Sequence, residues 1–556
     1  MKKILLIIAL LLLLAGGVLL WKLAQMRRSQ PIANYLSQET VFLVAAEDLP
    51  GSSLQWTQTS LSQLFSDKDI LKAIEGTKSK FWASDEASQG AGYLVSLQPK
   101  QVFASVLDRG DQGVALLGGV HYVGSRSSAE GGLARMREFL AGADAEPVLS
   151  KETVDGVELT SQETKRGTLI SANERGWIVF SDSREILLEF LSAVKAGSAV
   201  DSLAQDPLFM NIAKQLDPAC ELQAFLRVEP VLERVIAFGD AMGAVADPAQ
   251  VELLKNAEGL GYSSTFQGKD IEDKFFIKSK NSPADLAIKK VAAPLAREEN
   301  LFLYETALDT KSPTWQTFLE KVPDEIVGAA AQSGLDFEKL PETVSDGAVW
   351  ASLGKGAFIP DMEGVLTLAD TEQAQKWLEF FLAQGKGDIA KEDRLDSTIY
   401  ILGAQGSIKF VEPSVAVREG ELLAALSPAD LDAMLSPQNG ESQSLLASPK
   451  FASVKSYYDS NPVTFVYLDT PGVVRRAYAT VLPALRFGAS VLKDVEQYVN
   501  VEQLPDEATF ADKLGPIVGV QYNRPDGYLF ETRGPVTLNH LLLGGSAGGI
   551  STFWKD

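Results

Sequence analysis

The chain reads as an α+β protein: an internal duplication of two homologous lobes, each a largely antiparallel sheet covered by helices, plus one N-terminal transmembrane helix. Three observations predict this. A block near the middle returns near the end, strand patterns mix with helices without strict βαβ alternation, and one long uncharged run opens the chain.

The returning block is Ser202-Leu203-Ala204-Gln205-Asp206-Pro207-Leu208-Phe209, which comes back as Ser444-Leu445-Leu446-Ala447-Ser448-Pro449-Lys450-Phe451 (444 − 202 = 242). Gly176-Trp177-Ile178-Val179-Phe180 and Ser183 parallel Gly420-Glu421-Leu422-Leu423-Ala424 and Ser427 (420 − 176 = 244). Glu138-Phe139-Leu140 answers Glu379-Phe380-Phe381 (379 − 138 = 241). Val41-Phe42-Leu43-Val44 with Trp56 corresponds to Leu301-Phe302-Leu303-Tyr304 with Trp315. A period of about 240–260 residues is far longer than a solenoid unit, so the spacing predicts two domains and not an array. These are residues 33–285 and 295–540, with 1–28 as an anchor or signal segment and 541–556 as a Gly-rich tail. At 556 residues, each half is long enough for a sizeable core.

Along the first half, hydrophobic alternation predicts a strand over Thr40–Ala46, a helix over Thr57–Ile74, and strands over Gly92–Leu97 and Gly113–Tyr122. A helix over Ser128–Ala141 precedes Val157–Thr160, Thr168–Ser171 and Trp177–Phe180, whose short separations favour antiparallel pairing. Helices over Ser183–Ala196 and Leu208–Gln215 lead to strands Leu222–Val228, Gly259–Gln267 and Glu272–Lys278. Lys280 to Glu299 reads as a connector carrying a helix over Pro283–Val291. The second half repeats the programme and ends on Pro516–Tyr522 and Tyr528–Arg533 around the turn Asn523–Gly527.

Ile4 to Trp21 is uncharged, flanked by Lys2-Lys3 and by Lys22, Arg27 and Arg28. As a helix it would span roughly 27 Å, close to the ~30 Å hydrocarbon core of a bilayer. Ala15-Gly16-Gly17 offers small residues for signal cleavage, but Val18-Leu19-Leu20-Trp21 continues the apolar run, so an uncleaved anchor is expected. No cysteine follows it directly, which excludes lipoprotein processing. Positive charge lies on both sides, yet the short basic leader favours a single pass of a bacterial inner membrane with the bulk in the periplasm.

The net charge of −22 argues against nucleic acid, whose binding depends on Lys and Arg contacts to phosphate. Cys220 is the one cysteine, so it forms no intrachain disulfide and is expected as a small buried hydrophobe. With His121 and His540 as the two histidines, no zinc site of His and Cys ligands can be assembled. No EF-hand or Walker A spacing occurs, and Gly259-Leu260-Gly261-Tyr262-Ser263-Ser264 fails the dinucleotide fingerprint at its third glycine. Arg109-Gly110-Asp111 matches an adhesion tripeptide by composition alone.

Acids close several strands: Asp48-Leu49-Pro50, Glu229-Pro230, Asp309 before Pro313, and Asp469-Thr470-Pro471. They could line a binding face. Asp before a proline-containing first turn is also a favoured helix cap, and that is the expected role. Gly544-Gly545-Ser546-Ala547-Gly548 resembles the nucleophile elbow of hormone-sensitive-lipase-like esterases, but no histidine follows it. No catalytic, cofactor-binding or metal-binding residue is therefore assigned, and no cofactor is expected.

The anchor, Tyr35-Leu36-Ser37-Gln38-Glu39-Thr40 before a hydrophobic strand, and the Ser-Leu-x-x-x-Pro-x-Phe blocks together resemble a bacterial envelope family catalogued as domain of unknown function 3352. The resemblance implies class and location and supplies no catalytic residues. The expected function is a non-enzymatic envelope protein, held in the membrane through Ile4–Trp21, whose lobes bind a protein, lipid or peptide partner. A hydrolase with a carboxylate-based site is the alternative. Replacing Ser546 with Ala is expected to leave any activity unchanged. Fluorophosphonate labelling of Ser546 that disappears in His540→Ala would reverse that expectation.

Overall fold

The structure, a computed structural model, describes residues 30–70, 97–141, 149–164, 167–242, 254–311, 319–354, 357, 359–385, 389–395, 397–403, 411–436, 444–491 and 505–537. The expectations on Ile4–Trp21, Trp315, His540, Gly544–Gly549 and most of Gly92–Leu97 lie outside these residues. Among the described residues, no helix is long and apolar enough to cross a membrane. The chain is α+β, as expected, and its paired strands are antiparallel throughout the described ladders. It divides into two compact units, Met1–Leu54 with Trp82–Thr265 and Gln55–Phe81 with Phe266–Asp556.

The first unit carries β1 (Thr40–Ala46), β2 (Pro99–Asp108), β3 (Val114–Tyr122), β4 (Leu149–Val154), β5 (Val157–Thr164), β6 (Gly167–Glu174), β7 (Trp177–Ser181), β8 (Leu222–Arg227) and β9 (Ala257–Gln267). Their order across the sheet is β4-β5-β6-β7-β3-β2-β1-β8-β9. Period-2 alternation sends Val41, Leu43 and Ala45 of β1 inward. The hairpins β4–β5 and β6–β7 close on Asp155-Gly156 and Arg175-Gly176, both residues of each turn at positive φ, which matches the right-handed twist of the strands. The helix Arg184–Ala196 starts where the Ser183 side chain accepts from the Ile186 N–H, and it stops at Gly197 in the left-handed region. It buries Ile186, Leu187, Phe190, Leu191 and Ala193, each large apolar side chain contributing roughly 1.5–3 kcal/mol. Phe190 meets Trp177 of β7 edge-on at 5.3 Å between ring centroids and stacks on Phe103 of β2 at 5.2 Å.

The second unit carries β10 (Asp270–Ser279), β11 (Phe302–Ala307), β12 (Val344–Ser352), β13 (Asp361–Leu368), β14 (Ile389–Arg394), β15 (Ser397–Leu402), β16 (Ser414–Arg418), β17 (Glu421–Ala425), β18 (Thr464–Leu468), β19 (Ile517–Arg524) and β20 (Gly527–Gly534). The order is β14-β15-β16-β17-β13-β12-β11-β18-β19-β20-β10. Its core packs Leu303, Trp350, Phe451, Tyr458, Phe465 and Tyr467 around β11, β12 and β18. A satellite cluster gathers Phe337, Trp377 and Phe380 beneath the helix Thr371–Gln384.

From β1 to β9 and from β11 to β19 the strand order is the same. The registers agree as well. Leu43 lies between Ser105 and Phe225, and Leu303 lies between Trp350 and Tyr467. Leu117 lies between Ser105 and Ser181, and Glu363 lies between Trp350 and Ala425. Isolated bridges join Ser37 to Ser202 and Arg297 to Ser444. The returning sequence block behaves alike in both places: Phe209 packs on Phe225 at 5.3 Å and Phe451 on Tyr467 at 5.4 Å. Asp206 and Ser448 each cap a short helix that has proline in its first turn.

Three expectations are corrected. The helix expected over Thr57–Ile74 is broken: Ser60–Phe65 is one short helix, preceded by Leu49–Trp56, helical structure resumes at Lys68–Ile70, and residues 71–74 lie outside the described residues. Thr59, ahead of Ser60–Phe65, adopts an extended conformation and its Oγ1 accepts from the Ser62 N–H, which starts a new helix. Pro283–Val291 is not helical; the one helix in that segment is Ala292–Leu295. Its N–H groups are drawn elsewhere, Ile288 to the Pro462 carbonyl, Lys289 to Asp346 and Val291 to Glu305, and Lys290 takes φ 61°. β2, β4 and the helix Val228–Met242 were not anticipated.

Gly261 on β9 sits beneath the helix Pro207–Ala213, where an added Cβ would lie 2.2 Å from Ile212 Cγ2 and 2.9 Å from Leu216 Cδ1. Gly261→Val is expected to overpack this contact and destabilise the first unit by about 1–3 kcal/mol. Chemical denaturation followed by intrinsic fluorescence would read it.

Candidate functional site

The acids that close strands do local work. Asp48 Oδ1 accepts from the Gly51 N–H at 3.1 Å, and Asp469 Oδ1 from the Gly472 N–H at 3.0 Å. Both glycines are needed, since a Cβ on either would lie 2.5 Å from the capping carboxylate. Asp309 Oδ1 accepts from the Lys311 N–H at 3.1 Å, while Pro313 lies outside the described residues. Glu229 sits in the first turn of Val228–Met242, where the helix dipole favours an acid. The caps are as expected, and each acid serves its own helix or turn.

Sequence reasoning missed a second set of acids, buried beneath the chain segment that enters each sheet. In the first unit, Glu47 Oε1 accepts from the Ile32 N–H at 3.0 Å and Glu47 Oε2 from Gln101 Nε2 at 2.7 Å. In the second, Glu305 accepts from the Val291 N–H at 2.9 Å and the Tyr458 hydroxyl at 2.7 Å. Beside it, Asp346 Oδ2 accepts from the Lys289 N–H at 3.0 Å, and Asp346 Oδ1 has no hydrogen-bond partner. Burial raises all three carboxyls, and Asp346 reaches about 7 through burial and the neighbouring Glu305. Paired acids with raised pKa are a signature of acid–base catalysis. Glu305 and Asp346 are both 0% exposed, however, so no substrate reaches them, and their role is to hold the backbone.

The first unit also has a concave site. A depression of about 400 Å³ lies above Leu36, Leu107, Leu117, Ile186 and Phe190, each only 1–3% exposed, and is bordered by exposed Glu189, Ser198, Val200 and Asp201. Its elements are the segment before β1, the ends of β2 and β3, and the helix Arg184–Ala196. By the matched registers, Ser37 corresponds to Arg297, Leu117 to Glu363 and, three residues after capping serines Ser183 and Ser427, Ile186 to Asp430. In the second unit these positions form an ionic group. Arg297 Nη2 lies 2.5 Å from Glu363 and 3.3 Å from Asp430, and the Glu363 side chain is 1% exposed. Burial pushes the Glu363 carboxyl up, against the pull of Arg297.

The second unit has a wider cleft of about 940 Å³, bordered by Lys450, Asp469, Arg475 and Asp512. Lys450 pairs with Asp469 at 3.0 Å and Arg475 with Asp512 at 2.8 Å, and Glu298, Glu299, Arg476 and Glu507 also line it. Cys220 is half-buried and burial pushes its thiol up to about 12, which leaves no thiolate for nucleophilic attack at neutral pH. His121 stacks on Trp177 at 4.8 Å, and burial lowers its pKa, so it is a neutral packed ring. Among the described residues, no group of His, Cys, Asp and Glu could hold a metal ion.

No family model matches the chain, and no curated protein matches it. Among solved structures it is similar to crystal form I of TP0453 at 7% identity, covering 46% of this chain and 81% of that one, with a TM-score of 0.24. Crystal form IV of TP0453 shows 7% identity, coverage of 45% and 80%, and a TM-score of 0.27.

Asp48→Ala is expected to cost about 1 kcal/mol of stability, the usual loss of a helix cap, and to leave ligand binding unchanged. The buried acids set a pH dependence. A carboxyl raised from 3.8 to about 7 keeps its proton longer when folded, so its stabilisation is full in acid and is lost as pH rises through about 7. Asp346→Asn is therefore expected to flatten the fall in stability between about pH 4 and about pH 7, by at most about 4 kcal/mol, seen as a smaller drop in melting temperature. Calorimetry of both proteins across that range checks it.

Proposed function

We propose that this protein is a membrane-anchored envelope protein that binds an apolar ligand and catalyses no reaction. In this reading Ile4–Trp21 holds it in a bacterial inner membrane by a single pass, and the bulk of the chain lies in the periplasm. The lobes are two copies of one ancestral domain, a reading supported by the matched strand orders and by the equivalent seats of Phe209 and Phe451. The resemblance of the anchor and the Ser-Leu-x-x-x-Pro-x-Phe blocks to an envelope family supports the location.

One observation carries the binding role. The pocket of the first unit is lined by aliphatic side chains where the matched positions of the second unit hold an ion-paired group. A concave, mostly apolar site with a few polar groups at its mouth is what small-molecule binding requires. Its acids, Glu189 and Asp201, are exposed and border the depression.

Photolabelling tests the reading. With the full chain in bilayer nanodiscs, octanol carrying a terminal diazirine is expected to label peptides that contain Leu117 or Ile186–Ala199. Ala196→Trp, at the exposed edge of the pocket, is expected to cut that labelling by about tenfold without lowering the melting temperature. Labelling spread evenly over the surface, and unchanged by Ala196→Trp, would exclude a pocket-based function.

A further inference from the structure

The chain between β10 and β11 is a strap fastened to the rest of the second unit by polar contacts. The Ile288 N–H donates to the Pro462 carbonyl, the Lys289 N–H to Asp346 Oδ2, the Val291 N–H to Glu305 Oε1 and the Ala293 N–H to the Tyr458 hydroxyl. Two of these four N–H groups therefore end on carboxylates. Regular structure adds little, since Ala292–Leu295 is a helix of four residues that follows Lys290 at φ 61°. The strap's apolar side chains, Ile288, Ala292, Ala293 and Ala296, belong to the same core as Trp350 and Phe451.

The strand registers set this place against its counterpart in the first unit. Leu43 opposes Ser105 and Leu303 opposes Trp350, so Asp346 on β12 stands where Gln101 stands on β2 (105 − 101 = 350 − 346). Gln101 is an amide that donates from Nε2 to Glu47 Oε2 at 2.7 Å and to the Gln30 carbonyl at 3.0 Å. An ionised carboxylate has no proton to donate. In the second unit the neighbour is another acid, Glu305, and Asp346 Oδ1 is left without a hydrogen-bond partner. Each element packed on Asp346 has a plain charge state. Glu305 of β11 is acidic and Lys289 of the strap basic, while Ala307 of β11 and Thr367 of β13, which oppose it in register, are uncharged. The Tyr458 hydroxyl of the helix Lys455–Asp459 is spent on Glu305. Two acids at 0% exposure thus share one facing cation, where water cannot solvate a second negative charge.

We infer that the strap from Ile288 to Ala296 is a pH-sensitive latch, docked firmly while Asp346 carries a proton and loosened from β11 and β12 once Asp346 and Glu305 are both ionised. The proton removes one of two like charges, and without it the second charge is relieved only by opening the strap to water. Docked, Asp346 keeps its proton up to about pH 7; released, it gives the proton up near pH 4. Docking is therefore firmest in acid and weakens as pH rises from about 4 to about 7.

Hydrogen exchange on the full chain in bilayer nanodiscs tests this, with rates corrected for the intrinsic pH dependence of amide exchange. The opening constant of the Lys289, Val291 and Ala293 amides is expected to rise about 50-fold from pH 5 to pH 7. At pH 7 it is expected to exceed that of the β16–β17 amides by about tenfold or more, because the latch opens without the rest of the unit. Asp346→Asn, which gives the second unit the amide chemistry of Gln101, is expected to shrink the rise to about fivefold or less, with Glu305 supplying the remainder. Strap amides that exchange no faster than β16–β17 at pH 7 would show that the strap opens only with the whole unit and would overturn the latch. So would equal strap protection at pH 5 and pH 7, or a 50-fold rise that persists in Asp346→Asn. The first two comparisons need only the unaltered chain, so a poorly folding variant would not remove the test.

Discussion

In each unit the first strand of the repeated order is an interior strand, paired on both of its edges. β1 bonds to β2 and β8, and β11 bonds to β12 and β18, each in antiparallel register over most of its length. Because side chains alternate faces with period 2, a slip of one residue in either ladder would turn every buried group outward. Leu43 and Leu303 are 1% and 0% exposed, so such a slip would bring a fully buried side chain into water in either unit. The pairing of β1 and β11 therefore constrains where every neighbouring strand, helix and pocket wall can lie.

The buried carboxylates follow from that constraint. The segments entering β1 and β11 carry backbone N–H groups that no ladder satisfies, and an N–H without a partner is costly where water cannot reach it. Glu47 answers Ile32 in one unit, and Glu305 and Asp346 answer Val291 and Lys289 in the other. The cost moves to the carboxylates, which must give up water, and their raised pKa values are the record of it. An acidic pair that could pass for catalytic machinery is thus accounted for by backbone satisfaction.

The parts of this fold legible in sequence were those with local causes. Ser-Leu-x-x-x-Pro-x-Phe is readable because a cap, a first-turn proline and one buried ring fall within eight residues, and the α+β class because strand and helix periods differ. Asp48 and Asp469 read as caps for the same reason. The connector helix over Pro283–Val291 failed because its competitors, Asp346, Glu305 and the Pro462 carbonyl, lie far away in sequence. The pocket was invisible for a related reason. Matching Ser37 to Arg297 needs an offset of 260 (297 − 37), Leu117 to Glu363 one of 246 (363 − 117), and Ile186 to Asp430 one of 244 (430 − 186). Loop-length changes between the halves scatter these positions, and only the strand registers bring them back together.

That scatter bears on how the two lobes came to differ. An ion-paired group buried with good geometry is close to neutral in stability against a well-packed apolar replacement, because desolvation offsets the Coulomb attraction. Exchange between Arg297-Glu363-Asp430 and Ser37-Leu117-Ile186 therefore need not disturb either fold, provided the apolar version is packed. In the first unit a depression of about 400 Å³ remains above Leu117 and Ile186, with Ala196 and Val200 exposed at its edge. Apolar surface left in contact with water forgoes roughly 25 cal/mol per Å² of stabilisation. A larger side chain at Ala193 or Ala196 could reduce that exposed area by a single substitution. A first unit that keeps a depression where the second places an ion-paired group is the difference on which the proposed binding role rests.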